Sequence, residues 1–171
     1  MMEPCNDPYP GDHETAQSLF ALAQHYDAAA LLVLPMRKKK NAASWAPFRF
    51  LSLHAVELYL NAALLHRGQT VADIRGLKHD LIARTDFAES KGLNLEASTV
   101  KHLQQTNAKR AYVASRYEAK PRFAPACPAH FEEALKDVAA KVKRMLTTPP
   151  PPPPCPHCGH TKLTTRVLET A

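Results

Sequence analysis

Apolar and polar positions alternate most regularly over residues 50–68, FLSLHAVELYLNAALLHRG. At about 100° per residue, Leu51, Ala55, Leu58, Ala62 and Leu65 form one apolar stripe. Leu53, Val56, Leu60 and Leu64 form a second, about half a turn away. A surface helix carries one apolar stripe, whereas two stripes require neighbours on both sides. The segment is therefore expected to be the central helix of a bundle. Between the stripes runs a polar line, His54, Glu57 and Asn61, at i, i+3 and i+7. Buried polar groups need partners, so this line is the first place to look for chemistry.

The flanking segments supply the other helices. Residues 1–11 read as a disordered N-terminus, broken by Pro4, Pro8, Pro10 and Gly11. A first helix is expected from a cap near Asp12. It carries Leu19, Phe20, Ala23, Tyr26, Ala30 and Val33, and it ends at Pro35. MRKKKNAASWAP reads as a basic loop, with Ser44 capping the central helix, Pro47 in its first turn and Gly68 past its end. QTVADIRGLK reads as a short connection. A third helix is expected over HDLIARTDFAESKG, stopping at Gly92, and a fourth from Leu95 to Tyr117. PRFAPACP interrupts, and a fifth helix runs from about Ala129 to Leu146. The pattern predicts an all-α, up-and-down bundle of about five helices over residues 12–148. Residues 149–154 then form a polyproline linker, roughly 19 Å long at about 3.1 Å per residue. Residues 155–171 form a small cysteine-containing tail.

Composition narrows the setting. Hydrophobic residues make up 45% of the 171 positions, enough for a core. The N-terminus is acidic and proline-broken, unlike a secretory signal. No uninterrupted apolar run reaches about 18 residues, so no membrane span and no membrane partner are expected. A cytoplasmic location follows, where thiols stay reduced and a CxxC pair binds metal more readily than it forms a disulfide. The net charge of +6 permits an acidic partner such as nucleic acid. Arg37, Lys38, Lys39 and Lys40 are either a contact for a phosphate backbone or a solvated loop.

The sequence resembles the HEPN domain family (higher eukaryotes and prokaryotes nucleotide-binding). The residues that carry the resemblance are HAVELYLNAALLHRG with Glu57, Tyr59 and Ala62 to Leu65, then His79-Asp80-Leu81, then Arg116-Tyr117. It covers roughly residues 15–147. The resemblance implies a helical bundle that dimerises and that takes one of two roles. Some members are metal-independent RNases, marked by an Arg-x4-6-His motif on a late core helix. Others lack the motif and are binding or adaptor modules, often beside a nucleotidyltransferase partner. Here NAKRAYVASRYEAKPR has Arg110 with no His in range, and this departure favours the binding class. Arg49 and His54 have the spacing, but they lie early, on the central helix.

Each candidate residue has two readings. Within the line His54, Glu57 and Asn61, Glu57 and His54 act as an acid–base pair, or Glu57 pairs structurally with a cation such as Arg110 or Arg116. His79 faces a ligand cleft, or packs locally while Asp80 favours the helix dipole. Arg110 and Arg116 hold phosphate with their planar forks, or pair with Glu57 and Glu118. Cys155-Pro-His-Cys158-Gly-His160 has the knuckle shape that presents two thiolates to zinc. His157 or His160 offers a third ligand. No second ligand pair follows, so the tail reads as half a zinc ribbon that a second chain would complete, or as a vestige. Three functions remain open: a binding or adaptor module contacting nucleotide, RNA or a partner protein, a toxin-like RNase using Arg49, His54 and Glu57, or a structural helical homodimer.

Overall fold

The computed structural model describes residues 11–38, 40–118 and 128–149. The chain forms seven α-helices and no strand among these residues. They are α1 (Ala16–Val33), α2 (Ala46–His66), α3 (Val71–Gly76), α4 (Leu81–Ser90), α5 (Ala97–Ala108), α6 (Ala111–Tyr117) and α7 (Pro128–Thr147). The all-α bundle expected from the pattern is the observed fold. Residues 150–154 of the proline linker and the whole cysteine tail lie outside the described residues.

α2 is the hub. Ala55, Leu58 and Ala62 of one stripe are buried, as are Leu53, Val56, Leu60 and Leu64 of the other. α1 and α7 pack on it most extensively, and α4 and α6 contact it as well. α7 contributes Phe131, Leu135, Val138, Val142 and Met145, spaced at three and four residues, to the core shared with α2 and α5. Phe131 meets Phe48 at the start of α2 edge to face, with ring centroids 6.0 Å apart. Gly68 and Gly92 follow α2 and α4 with φ of 79° and 94°, a left-handed backbone that glycine adopts without strain.

Two helices depart from the pattern. The connection QTVADIRGLK contains α3, nucleated by a capping box: Thr70 Oγ1 accepts from the Asp73 amide, and Asp73 Oδ2 accepts from the Thr70 amide, both at 3.1 Å. The expected fourth helix is two, α5 and α6, because Arg110 takes a left-handed conformation (φ 48°). Asn107, just before the break, ties it to α4: its Oδ1 accepts from the Leu81 amide at 3.2 Å and its Nδ2 donates to Asp80 at 3.1 Å.

The caps also differ in detail. Thr15, not Asp12, caps α1, reciprocally with Ser18, while Asp12 pairs with Arg75 at 3.3 Å. Ser44 does not cap α2. It lies in a 3-10 turn, Ala42–Trp45, where its hydroxyl accepts from the Lys38 amide at 2.7 Å. The basic loop is thus built rather than open: Trp45 Nε1 donates to the Lys38 carbonyl, and Lys38 bridges Asn41. Pro35 ends α1 in a second 3-10 turn, Leu34–Met36. Ala16–Met36 is long and apolar enough to cross a membrane by length and composition, and 11% of its apolar window is buried inside the protein.

The burial pattern predicts a sharp contrast between two leucines. Leu64→Ala removes a fully buried side chain from α2 and is expected to cost about 2–5 kcal/mol, whereas Leu32→Ala on the exposed face of α1 stays within about 0.5 kcal/mol. Urea unfolding of both variants checks this.

Candidate functional site

The polar line of α2 is where its burial becomes chemistry. Glu57 is almost fully buried, and so is its partner Arg84 of α4, at 7% and 2% exposure. Arg84 Nη2 lies 3.4 Å from Glu57 Oε1. The rest of the guanidinium is also used: Nε donates to Asn61 Oδ1 at 2.7 Å, Nη2 to the Lys78 carbonyl and Nη1 to the Asp80 carbonyl. A buried arginine survives only with its fork occupied in this way. Burial pushes the Arg84 pKa down, while Glu57 and then Asp80 pull it back up. Glu57 is therefore held by Arg84, not by Arg110 or Arg116.

His79 lies over the same carboxylate. Its Nδ1 is 3.3 Å from both Glu57 oxygens, and its side chain is 54% exposed. The chain reaches it through Lys78, left-handed at φ 50°. Asp80 then caps α4, accepting from the Ile82 and Ala83 amides at 3.0 Å. The His79 ring packs on Tyr112 of α6 at 4.8 Å between centroids. Arg116 also packs on this aromatic group, 4.2 Å from the Tyr112 ring centre and 5.2 Å from that of Phe50, and donates to the Tyr112 hydroxyl. His54 completes the cluster: its ring meets Tyr26 edge to face at 4.4 Å, and its Nδ1 lies 3.5 Å from the Tyr112 hydroxyl. Burial pushes the His54 pKa down, Glu57 opposes this, and Arg116 and His79 reinforce it. Burial, then Glu57, pushes the Tyr112 phenol up.

Two hollows meet at His79. A groove of about 960 Å3 has apolar walls that include Leu19, Leu22, Leu65 and Ile74, and its polar lining includes His54, Glu57, Asn61, His79 and Arg84. A cleft of about 310 Å3 is lined by Lys78, His79, Asp80, Asn107, Arg110 and Tyr112. Lys78 and His79 line both. Among the described residues, the two left-handed non-glycine residues, Lys78 and Arg110, are both cations, and both line this cleft. Such backbone is sparsely populated for side-chain-bearing residues, and it gathers at functional sites.

The structure thus brings together His54, Glu57, Asn61, His79 and Arg116, with Arg110 lining the cleft beside them. Arg49 faces elsewhere. Five residues along a helix separate it from His54 by about 140°, and it lines a small hollow with His102 and Thr106 while His54 packs on Tyr26 and Phe50. Sequence reasoning missed Arg84, Lys78 and Tyr112. The signal for Arg84 was present: with Leu81, Thr85 and Ala88 it occupies the buried stripe of α4, where a cation must be paired. Cys155, Cys158, His157 and His160 lie outside the described residues, and among the described residues no group of three or more His, Cys, Asp or Glu is placed to hold a metal ion. No family model matches the chain, nor does any curated protein or solved structure.

Acidification is expected to weaken the fold through two imidazoles, that of the part-buried His54 and that of the buried His102. His54 and His102 are both pushed down, chiefly by burial. The unfolded chain takes up protons on these rings near pH 6.5 while the folded chain resists, so stability rises with pH across that range. It is complete above about 6.5 and is lost as pH falls towards the depressed folded values. Urea unfolding at pH 7.5 and at about pH 5.5 should show the loss, and His102→Gln should reduce it; an unchanged slope in that variant would contradict the assignment.

Proposed function

We propose that this chain is a HEPN-like binding or adaptor module whose ligand enters the groove over Glu57. The observation that carries this reading is the joining of a buried Glu57–Arg84–Asn61 network to a large apolar-walled groove, with cations at its rim. A nucleotide or a short stretch of RNA fits such an arrangement. A base takes the apolar wall and hydrogen-bonds to the polar floor, while phosphates meet Lys78, His79 and Arg110. The order of motifs along the chain supports the same reading, as does the lack of a His after Arg110. A second copy of this chain and a nucleotidyltransferase-type protein are the partners that the resemblance suggests.

One observation favours the RNase reading as an alternative. His79 is a half-exposed imidazole oriented by a carboxylate, the form of a general acid–base, and Arg116 and Tyr112 lie beside it. In that reading His79 and Glu57 replace the separated Arg49 and His54. Titration of short RNA and of adenine nucleotides, with product analysis, distinguishes the two. The binding reading expects intact RNA and affinity about three- to tenfold lower in Lys78→Ala and His79→Ala. Cleavage that disappears in His79→Ala favours the enzyme. Absence of binding to either ligand would contradict both.

The tail is proposed to hold zinc through Cys155 and Cys158, with His160 as a third ligand and a second chain completing the four-coordinate site. Zinc content of the full chain should fall to background in Cys155→Ser/Cys158→Ser, and native mass should show a chelator-sensitive dimer. Equal zinc in the variant and the parent would dismiss the site.

A further inference from the structure

α1 carries only one charged residue, Asp27, and its carboxylate is turned to the protein, accepting from the Tyr59 hydroxyl at 3.3 Å. The inner face buries Ala16, Ala23 and Ala30 against the bundle. The outer face carries no Asp, Glu, Lys or Arg: its exposed positions are Gln17, Ala21, Leu22, Gln24, His25 and Ala28, and then Leu31 and Leu32 at its C-terminal end. At its C-terminal end, Leu32 is 78% and Met36 72% exposed. Large aliphatic side chains gathered at one tip of a helix mark an interaction surface.

The chain leaves that tip directly into Arg37, Lys38, Lys39 and Lys40. No Asp or Glu occurs between Asp27 and Glu57. Among the described residues, no ion pair links Arg37, Lys38 or Lys40 to a carboxylate. The loop is held in shape rather than free: Arg37 donates to the Leu34 carbonyl and lies over the Trp45 ring at 5.2 Å, and Lys38 is pinned by Ser44 and Trp45.

We propose that the exposed tip of α1 and the basic loop form a docking surface for an anionic lipid bilayer, on which Leu32 and Met36 enter the interface while Lys38 and Lys40 meet the headgroups. Buried apolar area and attraction of cations to anionic headgroups together set the strength of binding at a membrane interface. The helix lies on the bilayer and does not span it, because its inner face stays on α2 through Ala23, Ala30 and the Asp27–Tyr59 hydrogen bond. A nucleic-acid backbone would use the cations but has no place for the aliphatic tips.

Vesicle co-sedimentation of the full chain tests this, with phosphatidylcholine alone and with roughly 30% phosphatidylglycerol. Trp45, the single tryptophan, serves as a fluorescence reporter. Binding is expected to the anionic vesicles, to weaken with salt, and to drop at least about tenfold in Lys38→Glu/Lys40→Glu and in Leu32→Glu/Met36→Glu. All four side chains are exposed or at the surface, and circular dichroism confirms that the variants fold. Failure to bind anionic vesicles at low salt would overturn the proposal. Binding that survives Leu32→Glu/Met36→Glu would reduce it to general cation attraction and overturn it as well. A dimer in lipid-free buffer that those two changes dissociate would assign the face to a second copy of the chain instead.

Discussion

A buried ion pair between α2 and α4 governs the arrangement of this molecule. Removing Glu57 and Arg84 from water costs several kcal/mol per ion, and attraction alone rarely offsets that. Here the remaining cost is met by hydrogen bonds: Asn61 and the carbonyls of Lys78 and Asp80 take the other guanidinium protons. These acceptors come from α2, from the α3–α4 connection and from the residue that caps α4. The pair therefore sets how α4 lies against α2 and how the connection folds between them. The left-handed turn at Lys78 delivers one carbonyl to Arg84 and presents His79 to Glu57 from the other side.

The groove follows from that constraint. The polar line of α2 faces the groove, where α1 and α3 supply apolar walls and His79 stands at the boundary with the cationic cleft. Tyr112 links this seam to α6 through contacts with His79, His54 and Arg116. The break between α5 and α6 brings Arg110 to the cleft, so a backbone interruption and a functional hint coincide at one residue.

Much of this was legible in the sequence where a single helix period carries the information. The two stripes of α2, the polar line between them and the stops at Gly68 and Gly92 are all local patterns, and each is present. The capping box of α3 was also local, as Thr70-x-x-Asp73, but six helical residues are too few to show a period. The split at Arg110 has no local signal: no glycine or proline marks it, and its tie to α4 through Asn107 is a contact between distant residues. The partner of Glu57 was missed for a similar reason. Spacing marks Glu57 as a buried carboxylate that needs a cation and Arg84 as a cation on the buried stripe of α4, but only packing joins the two.

The most direct measurement is a double-mutant cycle on the central pair, with Glu57→Gln, Arg84→Met and both together, read by urea unfolding. Each single change should destabilise the fold by about 3–5 kcal/mol because it strands a buried charge or its acceptors. The double variant should recover much of this, giving a coupling of at least about 2 kcal/mol. Additivity within about 0.5 kcal/mol would mean that the two residues act independently, and would contradict the organising role of the pair.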